Sequence, residues 1–453
     1  MAQDLIASSN RRVVFGLGQT GLSCARLLYR RGLPFAVIDS REEPPGLATF
    51  RAEMPEVPVH LGTLPEDLLL DAHELVVSPG IALDEPAVAK AMDAGVTVVG
   101  DIDLFVREAR APILGITGSN AKSTVTALVG RMASLAQLNV GVGGNLGPPA
   151  LDLLDEARQL YVVELSSFQL ERAGRLGLDV ASVLNISPDH LDRHGSMPRY
   201  HMAKHRIFRG CKAAVVNRDD PLTVPLVDAS VKVVSWRMGE PELHGFGLRI
   251  EEGIESLCFG PQSLLPATEV RLPGRHNLAN ALAALAIGHA AGLPMVAMLQ
   301  ALREFGGLPH RCERVADIAG VHWVNDSKGT NPGATRAALE GLGGDSDLVL
   351  IAGGVAKGAD FSGLRPAIAK HCKAVLLIGE ATESMEAAFA GAANLERCAS
   401  LEVAIERAAE LADAGDTVLL SPACASFDMF SNYVQRGDAF RNAVAGLTGS
   451  GDE

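Results

Sequence analysis

The stretch Pro112–Thr124, PILGITGSNAKST, decides the fold of this chain. An apolar run typical of a buried strand leads into a turn of small residues, and a helical pattern follows over residues 125–133. Small residues let backbone N–H groups approach phosphate oxygens, and the N-terminus of the helix adds the positive end of its dipole. Lys122 is placed to reach the outer phosphates, and the hydroxyl of Ser123 or Thr124 to bind Mg²⁺. The stretch therefore predicts a parallel α/β domain with a phosphate-binding loop.

The match to the phosphate-loop pattern is imperfect, because the pattern has glycine where Ala121 and Ile116 stand. An ordinary strand–helix turn is the alternative interpretation. The strand before the turn and the helix after it favour phosphate binding over this alternative.

The same alternation of strands, turns and helices extends in both directions along the chain. Strands are predicted at 13–15, 35–38, 75–77, 161–163, 180–184, 213–216, 348–352, 374–378 and 417–420. A small antiparallel insertion is predicted between 231 and 272, followed by a helix over 277–291. We therefore expect an α/β protein of three domains: Rossmann-like 1–100, a central P-loop-type ATPase domain 101–307 with a mainly parallel sheet, and Rossmann-like 308–453.

Composition limits the class of protein. The 453 residues have a formal net charge of −14, which argues against a broad nucleic-acid surface. No apolar run reaches the length of about 18 residues that predicts a membrane span. The seven cysteines are scattered without a C-x-x-C pair, which favours reduced thiols over a disulfide framework or a zinc site. We expect a soluble, cytoplasmic protein.

A second glycine turn, Gly16-x-Gly18-x-x-Gly21, follows the first predicted strand. Asp39 comes 18 residues after Gly21 at the end of the next strand, where an acid can bind a ribose. The pattern suits a dinucleotide or a single nucleotide diphosphate, since the turn contacts only phosphate. A tight strand–helix junction without ligand is the alternative.

Further polar residues follow strands or lie in loops. Glu164 and His190 are candidate metal ligands together with phosphates, although a lone glutamate or histidine is more often a cap or a solvated side chain. Lys204, taken alone, has the pattern of a surface helix lysine. In the last segment, Arg311 is a candidate phosphate contact and Asp326 a candidate ribose contact. Lys357 in GGVAKG is likewise a candidate anion contact, because that loop follows a strand.

Taken together and in order, the motifs resemble those of the Mur ligases of peptidoglycan synthesis. The resemblance runs from Val13 to about Val444, and the ATP-loop motif alone would indicate only the wider group that includes folylpolyglutamate synthetases. The motifs that carry it are GLGQTGLS at Gly16, DSR at Asp39, SPGIAL at Ser78, GITGSNAKSTV at Gly115, GGNLG at Gly143, ELSSFQLE at Glu164, DHLDRHG at Asp189, AKHRIF at Ala203, GRHNLANALAAL at Gly274, GLPHRCERV at Gly307, NDSKGTN at Asn325 and SPACASFDMF at Ser421.

The resemblance implies an activity. It implies an ATP-dependent amide ligase that adds D-glutamate to UDP-N-acetylmuramoyl-L-alanine through an acyl phosphate, releasing ADP and phosphate. The implied partners are these small substrates alone, with no nucleic acid and no membrane, and the implied state is a monomer. Two Mg²⁺ sites are implied, together with a CO₂-derived carbamate on Lys204.

The resemblance also implies roles for individual residues. Its catalytic and metal-binding positions match Lys122, Ser123, Glu164, His190 and Lys204, the last as a metal ligand if carbamylated. Its ATP positions match Gly118, Ser119, Asn120, Ala121, Lys122, Ser123, Thr124, Asn277, Asn280, Arg311 and Asp326. Its UDP-substrate positions match Gln19, Thr20, Asp39, Ser40, Arg41, Asn145 and His190. Its glutamate positions match Thr330, Lys357, Ser426, Phe427 and Tyr433.

Some residues depart from the family pattern near the implied amino-acid pocket: Gly329, Pro332, Val355, Ala356 and Ser431. Two other functions stay open on the residues alone. An NAD-dependent oxidoreductase would use the turn Gly16-x-Gly18-x-x-Gly21 but leaves the loop with Lys122 unexplained. A nucleotide-binding regulator without enzymatic activity would keep Lys122 but need none of Glu164, His190 or Lys204.

Overall fold

A computed structural model describes residues 11–272 and 274–447. The described residues form three α/β domains, each built on its own sheet. The strands of these sheets lie within residues 12–99, 113–266 and 313–420. The predicted fold class is confirmed, while the boundaries at residues 100/101 and 307/308 stay predictions.

The first sheet is entirely parallel. Its strands are β1 (Arg12–Phe15), β2 (Phe35–Asp39), β3 (Val59–Leu61), β4 (Glu74–Val77) and β5 (Thr97–Val99). Its helices are α1 (Gln19–Arg30), α2 (Leu47–Glu53), α3 (Glu66–Leu70), α4 (Pro86–Asp93) and α5 (Asp101–Glu108). The order across the sheet is β3-β2-β1-β4-β5, so the strand order reverses between β1 and β4. Such a reversal opens a crevice at the carboxyl ends of the two strands.

The central sheet combines a parallel part with an antiparallel edge. Its strands are β6 (Ile113–Thr117), β7 (Val140–Gly144), β8 (Leu160–Glu164), β9 (Val180–Val183), β10 (Ala213–Asn217), β11 (Lys232–Trp236), β12 (Gly245–Glu251), β13 (Ile254–Phe259) and β14 (Gln262–Pro266). Its helices are α6 (Lys122–Leu135), α7 (Ser167–Arg172), α8 (Leu191–His194), α9 (Met197–His205), α10 (Arg275–Ala290) and α11 (Met295–Glu304). The order is β14-β13-β12-β11-β10-β9-β6-β8-β7, which puts β6 between β9 and β8.

The predicted insertion is antiparallel only in part. Strands β11 and β12 continue the parallel sheet, and only the β12-β13 and β13-β14 pairs are antiparallel. The alternating apolar pattern of this region marks strands with one exposed face, but it does not reveal strand direction.

The third sheet is parallel apart from its first strand. Its strands are β15 (Glu313–Ile318), β16 (Val321–Asn325), β17 (Leu348–Gly353), β18 (Cys372–Ile378), β19 (Asn394–Arg397) and β20 (Thr417–Leu420). Its helices are α12 (Pro332–Leu342), α13 (Arg365–His371), α14 (Thr382–Phe389), α15 (Leu401–Leu411) and α16 (Tyr433–Leu447). The order is β15-β16-β20-β17-β18-β19, so the loops after β16, β20 and β17 are neighbours.

The cores explain why continuous apolar runs become central strands. In β1, Val14 packs into one hydrophobic cluster while Val13 and Phe15 pack into another on the opposite face. Strands covered by helices on both faces are buried on both, so they lose the polar alternation of a one-sided sheet. Each fully buried Val, Leu or Phe contributes about 1.5–3 kcal/mol. The helices that cover the sheets thereby fix the loops at the strand ends.

Two other predictions concern the whole chain. All the cysteines lie in the described part of the chain and are free, and Cys312 and Cys398 are partly exposed while the others are buried. Over residues 11–272 and 274–447, none of the helices has the length and hydropathy that crossing a lipid bilayer requires.

Candidate active site

The loop after β6 has the geometry of a phosphate-binding turn. The backbone N–H of Ser119 donates to Asn185 O at 3.0 Å, and that of Asn120 donates to Asn185 Oδ1 at 2.8 Å, so the loop after β9 supports it. Ala121 adopts the left-handed conformation, with φ 66° and ψ −5°, immediately before α6 begins at Lys122. Ala121 thus stands where the pattern has glycine, and its backbone has the conformation that glycine adopts most easily.

The carboxylate of Glu164 lies against this loop because β8 pairs directly with β6. Ser123 Oγ donates to Glu164 Oε2 at 2.5 Å, and Asn145 Nδ2 donates to Glu164 Oε1 at 2.7 Å. Arg311 Nη2, from the third domain, donates to the same Ser123 Oγ at 2.5 Å. Four predicted site residues thus meet at one point, although they are separated by up to 188 positions in the chain.

Two lysines of the central domain lie beside the loop, and Lys122 is partly exposed while Lys204 is buried. Lys122 Nζ donates to Ser119 O at 2.8 Å, and Lys204 Nζ donates to Gly118 O at 2.7 Å. Burial lowers the pKa of Lys122, against the opposing charge of Glu164. Burial also holds the pKa of Lys204 well below its usual range, and the positive charge of Lys122 adds to this. The surface interpretation of Lys204 is therefore wrong, since its exposed fraction is only 1%.

His190 lies in the loop that follows β9. Its backbone is left-handed with φ 53°, and its ring packs edge-on against Phe168 at 4.9 Å between centroids. Its Nε2 is 3.6 Å from Asp189 Oδ2. Burial lowers the pKa of His190, with Asp189 opposing, and a neutral imidazole is the form that binds metals.

The third domain supplies a buried carboxyl group at the end of β16. Asp326 Oδ2 accepts from Ser421 Oγ at 2.7 Å, and Asp326 Oδ1 accepts from the backbone N–H of Cys312 at 3.2 Å. Burial raises the pKa of Asp326 to about 6. A Cβ at position 329 would lie 2.5 Å from Asp326 Oδ2, so the departure from the family pattern at Gly329 has a steric reason.

Asn331 and Pro332 begin helix α12 next to the phosphate loop. Asn331 Oδ1 accepts from the backbone N–H of residue 334 at 2.9 Å, which caps the helix, and proline suits the first helical position. Asn331 Nδ2 lies 3.2 Å from Asn120 Oδ1 and 3.3 Å from Asp189 Oδ2. The third domain is thus hydrogen-bonded to the phosphate loop and to the loop of His190. The departure at Pro332 fits the start of this helix.

Aromatic rings and lysines define the far side of the cleft. Lys328 Nζ lies 4.1 Å from the centroid of the Tyr433 ring, and Lys357 Nζ lies 5.0 Å from that of Phe427. Burial lowers the pKa of Lys328 to about 8, with the charge of Arg311 adding to it. Of the remaining departures, Val355 pairs with Ala425 in an isolated bridge. For the change at Ala356 the structure offers no explanation.

A cleft of about 500 Å³ lies between the central and third domains. The predicted site residues that line it are Ser119, Asn120, Ala121, Lys122, Ser123, Thr124, Asn145, Glu164, His190, Lys204, Asn277, Asn280, Arg311, Asp326, Thr330, Lys357, Ser426, Phe427 and Tyr433. Positive charge comes from Lys122, Lys328, Lys357 and Arg311, and negative charge from Glu164, Asp189 and Asp326. A cleft with this balance suits polyanionic ligands, although the chain as a whole is acidic.

The predicted UDP-substrate residues of the first domain lie away from this cleft. Gln19 begins α1, and Ser40 and Arg41 are exposed after β2. Asp39 is buried, and its carboxylate accepts from the backbone N–H of Leu17 at 2.7 Å and from Arg41 Nη2 at 2.7 Å. Burial opposes the charge of Asp39, but these bonds outweigh it and lower its pKa. Asp39 therefore holds the glycine turn in shape, and a ribose contact at this carboxylate stays a prediction.

Some residues of the cleft were missed by the sequence reasoning. Tyr200, Phe168, His276 and Asn432 line it without having been singled out as site residues. Tyr200 is 1% exposed, and its hydroxyl lies 3.0 Å from Ser119 Oγ. Only its position one helical turn before Lys204 gave a signal, because residues i and i+4 share a helix face.

The side chains at the predicted metal site can be compared with the donors that Mg²⁺ prefers. In the part of the chain that the structure describes, no group of three or more His, Cys, Asp or Glu side chains is arranged to hold a metal ion. The Ser123 hydroxyl and the Glu164 carboxylate nevertheless converge, and oxygen donors of this kind suit Mg²⁺ when phosphates complete its coordination. The donor set thus fits a metal held jointly with a nucleotide.

Models of known protein families match three successive regions of the chain. Residues 10–100 match the model described as Mur ligase MurD-like, N-terminal domain. Residues 116–288 match the Mur ligase middle domain, and residues 310–424 match the Mur ligase, glutamate ligase domain. The chain belongs to the Mur ligase family.

Individual Mur ligases resemble the chain along its whole length. It is 54% identical over 446 residues to UDP-N-acetylmuramoylalanine--D-glutamate ligase of Pseudomonas syringae pv. syringae, covering 98% of this chain and 100% of that protein. It is 55% identical over 445 residues to the protein of the same name from Pseudomonas aeruginosa, covering 98% and 99% respectively.

Solved structures of proteins with much lower sequence identity share the fold. UDP-N-acetylmuramate-alanine ligase of Thermotoga maritima superposes with a TM-score of 0.60 at 18% identity, covering 96% of this chain and 99% of that one. A pseudomurein peptide ligase type C from Methanothermus fervidus superposes with a TM-score of 0.58 at 17% identity, covering 97% and 100%.

Proposed function

We propose that this Mur ligase joins D-glutamate to the alanine carboxylate of UDP-N-acetylmuramoyl-L-alanine, with ATP as the source of energy. The observation that carries the proposal is the meeting of Lys122, Ser123, Glu164 and Arg311 in one cation-rich cleft. The specific substrates rest on relatives that are 54–55% identical and are named for this reaction. The same relatives weigh against the oxidoreductase and the regulator.

The first step is transfer of a phosphoryl group. A carboxylate oxygen of the substrate attacks the γ-phosphorus of ATP, the bond to the bridging oxygen breaks, and ADP leaves with an acyl phosphate remaining. The reaction needs positive groups around the transferring phosphoryl, because both reactants are anions. Lys122 of the central domain and Arg311 of the third domain supply that charge, and the backbone N–H groups at the start of α6 add to it.

Mg²⁺ belongs to this proposal. When bound, it neutralises charge on the phosphate oxygens and draws substrate and nucleotide together. Ser123 and Glu164 would hold one ion, and His190 with a carbamylated Lys204 would hold a second. The lowered pKa of Lys204 supports the carbamate, because only a neutral amine adds to CO₂.

The second step forms the amide bond. The amine of glutamate, after losing a proton, attacks the acyl carbon, and phosphate leaves from the tetrahedral intermediate. Thr330, Lys357, Ser426, Phe427 and Tyr433 would bind the incoming glutamate, and Lys357 is the cation among them that can pair with a carboxylate. Asn277 and Asn280 would bind the adenine side of ATP, and Asp326 the ribose.

The remaining assignments complete the proposal. Domain 1–100 would bind the uridine nucleotide through Gln19, Thr20, Asp39, Ser40 and Arg41, domain 101–307 would bind ATP, and domain 308–453 would bind glutamate. A monomer stays the predicted state of assembly. Free cysteines support a reducing compartment, the cytoplasm. The net charge of −14 supports the absence of a nucleic-acid partner.

The test is phosphate release from ATP with UDP-N-acetylmuramoyl-L-alanine and D-glutamate, with mass spectrometry of the product. We expect release only when all three are present, and a product heavier by one glutamyl residue. L-Glutamate in place of D-glutamate is the matched control. Absence of release with D-glutamate would refute the proposal, and a change in nicotinamide absorbance with added NAD would favour the oxidoreductase.

A further inference from the structure

A buried arginine joins the first domain to the central domain. Arg172 is the last residue of α7, and its side chain has an exposed fraction of 0%. A guanidinium has five N–H donors, and all five are used here. Nε donates to Phe168 O at 3.0 Å within its own helix. The other four N–H groups reach backbone carbonyls of the first domain.

These four acceptors belong to the segment that leaves β4. Nη1 donates to Val77 O at 3.1 Å and to Ser78 O at 2.6 Å. Nη2 donates to Pro79 O at 3.3 Å and to Ile81 O at 2.9 Å. The segment 77–81 is therefore held along its backbone by Arg172, and Arg193 Nη2, also of the central domain, donates to Ile81 O at 2.8 Å.

The segment lies at the crevice of the first sheet. It follows β4, whose neighbour β1 leads into the glycine turn, and the strand order reverses between these two strands. Ser78 Oγ donates to Gly16 O at 3.0 Å, which couples the segment to that turn. Nucleotides bind at such crevices in α/β sheets.

The other end of the connection is the catalytic cleft. Helix α7 begins three residues after Glu164 with a capping box, in which Ser166 Oγ accepts from the backbone N–H of Gln169 at 3.2 Å. Ser167 and Phe168 of this helix line the cleft. A displacement of α7 relative to segment 77–81 would therefore change the distance between the glycine turn and the phosphate loop.

We propose that Arg172 is a positioning residue. It sets the distance between the glycine turn, where the uridine end of the substrate would bind, and the phosphate loop; this distance is called the span. The inference rests on the proposed function, because a substrate with a nucleotide at one end and a reacting carboxylate at the other must reach across this span. Lysine cannot replace arginine fully, since an ammonium has three N–H donors on one atom and cannot bond four carbonyls.

Packing around the aliphatic part of the Arg172 side chain is close. A Cβ at Gly100 would lie 2.8 Å from Arg172 Cγ, so Gly100→Ala pushes the arginine while keeping its charge. The backbone at Gly100 is extended, with φ −108° and ψ 176°, which alanine adopts without strain. This variant perturbs the connection while keeping the guanidinium and its donors.

The experiment measures KM and kcat for each substrate in the full-length protein and in Arg172→Met, Arg172→Lys and Gly100→Ala. The matched control is Arg175→Met, an exposed arginine three residues along. We expect KM for the UDP-substrate to rise about tenfold or more in Arg172→Met, because a small misplacement of reacting groups has effects of this size. We expect smaller rises in Arg172→Lys and Gly100→Ala, and KM for ATP within about twofold of the unmodified protein in all variants.

A truncated substrate separates positioning from a purely structural role. N-acetylmuramoyl-L-alanine 1-phosphate lacks the uridine end, so it does not use the span, and variant and unmodified protein should turn it over equally. Equal loss with both substrates, or equal rises in all KM values, would overturn the inference. So would unchanged kinetics in Arg172→Met. If Arg172→Met does not fold, Gly100→Ala decides in the same way.

Failure of the proposed function has a different signature. It would appear as no phosphate release in the unmodified protein. Calorimetric binding of the UDP-substrate to the unmodified protein and to Gly100→Ala would then still test the inference. Equal affinities would refute it, and weaker binding to the variant would support it.

Discussion

Ala121→Gly should relieve backbone strain at the start of the phosphate loop helix. Ala121 has φ 66° and ψ −5°, the left-handed region. An L-residue pays about 1–2 kcal/mol for this conformation, whereas glycine adopts it without cost. Two effects oppose the gain: the lost methyl contact, and the greater freedom of glycine in the unfolded chain, which costs about 0.4–1 kcal/mol.

The control variant Ala136→Gly has the same opposing effects. Ala136 lies at the other end of α6, has an ordinary φ of −76°, and packs partly buried against the same hydrophobic cluster as Ala121. Replacing Ala136 with glycine therefore removes a similar methyl group and adds similar freedom, without relieving strain. The difference between the two variants isolates the strain, and we expect Ala121→Gly to be more stable than Ala136→Gly by about 1–2 kcal/mol.

Scanning calorimetry of the two variants measures this difference. For a domain of the size of the central one, about 1 kcal/mol corresponds to roughly 2–4 °C in Tm, so the two transitions should differ by several degrees. Phosphate release by Ala121→Gly should stay within about twofold of the unmodified protein, because the backbone N–H groups are retained. An Ala121→Gly protein no more stable than Ala136→Gly would refute the reasoning from strain.

Three further predictions concern charges in the cleft. Lys122→Met should lower kcat about 10²-fold or more, with thermal unfolding unchanged. The control variant Lys232→Met, at the exposed start of β11, should keep full activity. Equal kcat in Lys122→Met and the unmodified protein would remove Lys122 from phosphoryl transfer. Because the pKa of Asp326 is raised from 3.8 to about 6, its stabilising contribution is complete below 3.8 and lost as pH rises through 6. Denaturant unfolding should therefore show a gain of about 1.4 kcal/mol from about pH 7.5 to about pH 5 that Asp326→Asn lacks, and parallel pH profiles would contradict this. Asn331→Asp keeps the helix cap but sets a carboxylate about 3.3 Å from that of Asp189. Turnover should therefore fall about tenfold, with helix content by circular dichroism unchanged, and unaltered turnover would mean that this contact plays no part in the reaction.

Much of the fold was predictable because buried parallel strands leave a strong signal. Continuous apolar runs such as that before Gly118 mark strands covered on both faces, and polar residues such as Glu164 mark their carboxyl ends. Neighbouring parallel strands bring those ends to one edge, so candidate ligands such as Glu164 can be inferred without coordinates. Strand direction at the edge of the central sheet was not predictable, because periodicity is the same for both directions.

The parts of the site that could not be predicted from the sequence depend on packing between elements that are distant in the chain. Lys204 has the sequence surroundings of an exposed helix lysine, and only tertiary contacts bury it. The Tyr200 hydroxyl and the Arg172 guanidinium find their partners 81 and up to 95 positions away. The partners of Arg172 are backbone carbonyls, which every residue has, so no sequence pattern reveals the pairing.

The positive cleft on an acidic protein has a practical consequence for handling it. Lys122, Lys328 and Arg311 gather around the proposed phosphate site, while the remaining surface repels anions on average. Inorganic sulfate or phosphate in a purification buffer will concentrate in that site and compete with nucleotides. Affinities measured in chloride or acetate buffers should therefore exceed those measured in sulfate, and crystals grown from sulfate would carry the anion in the nucleotide position.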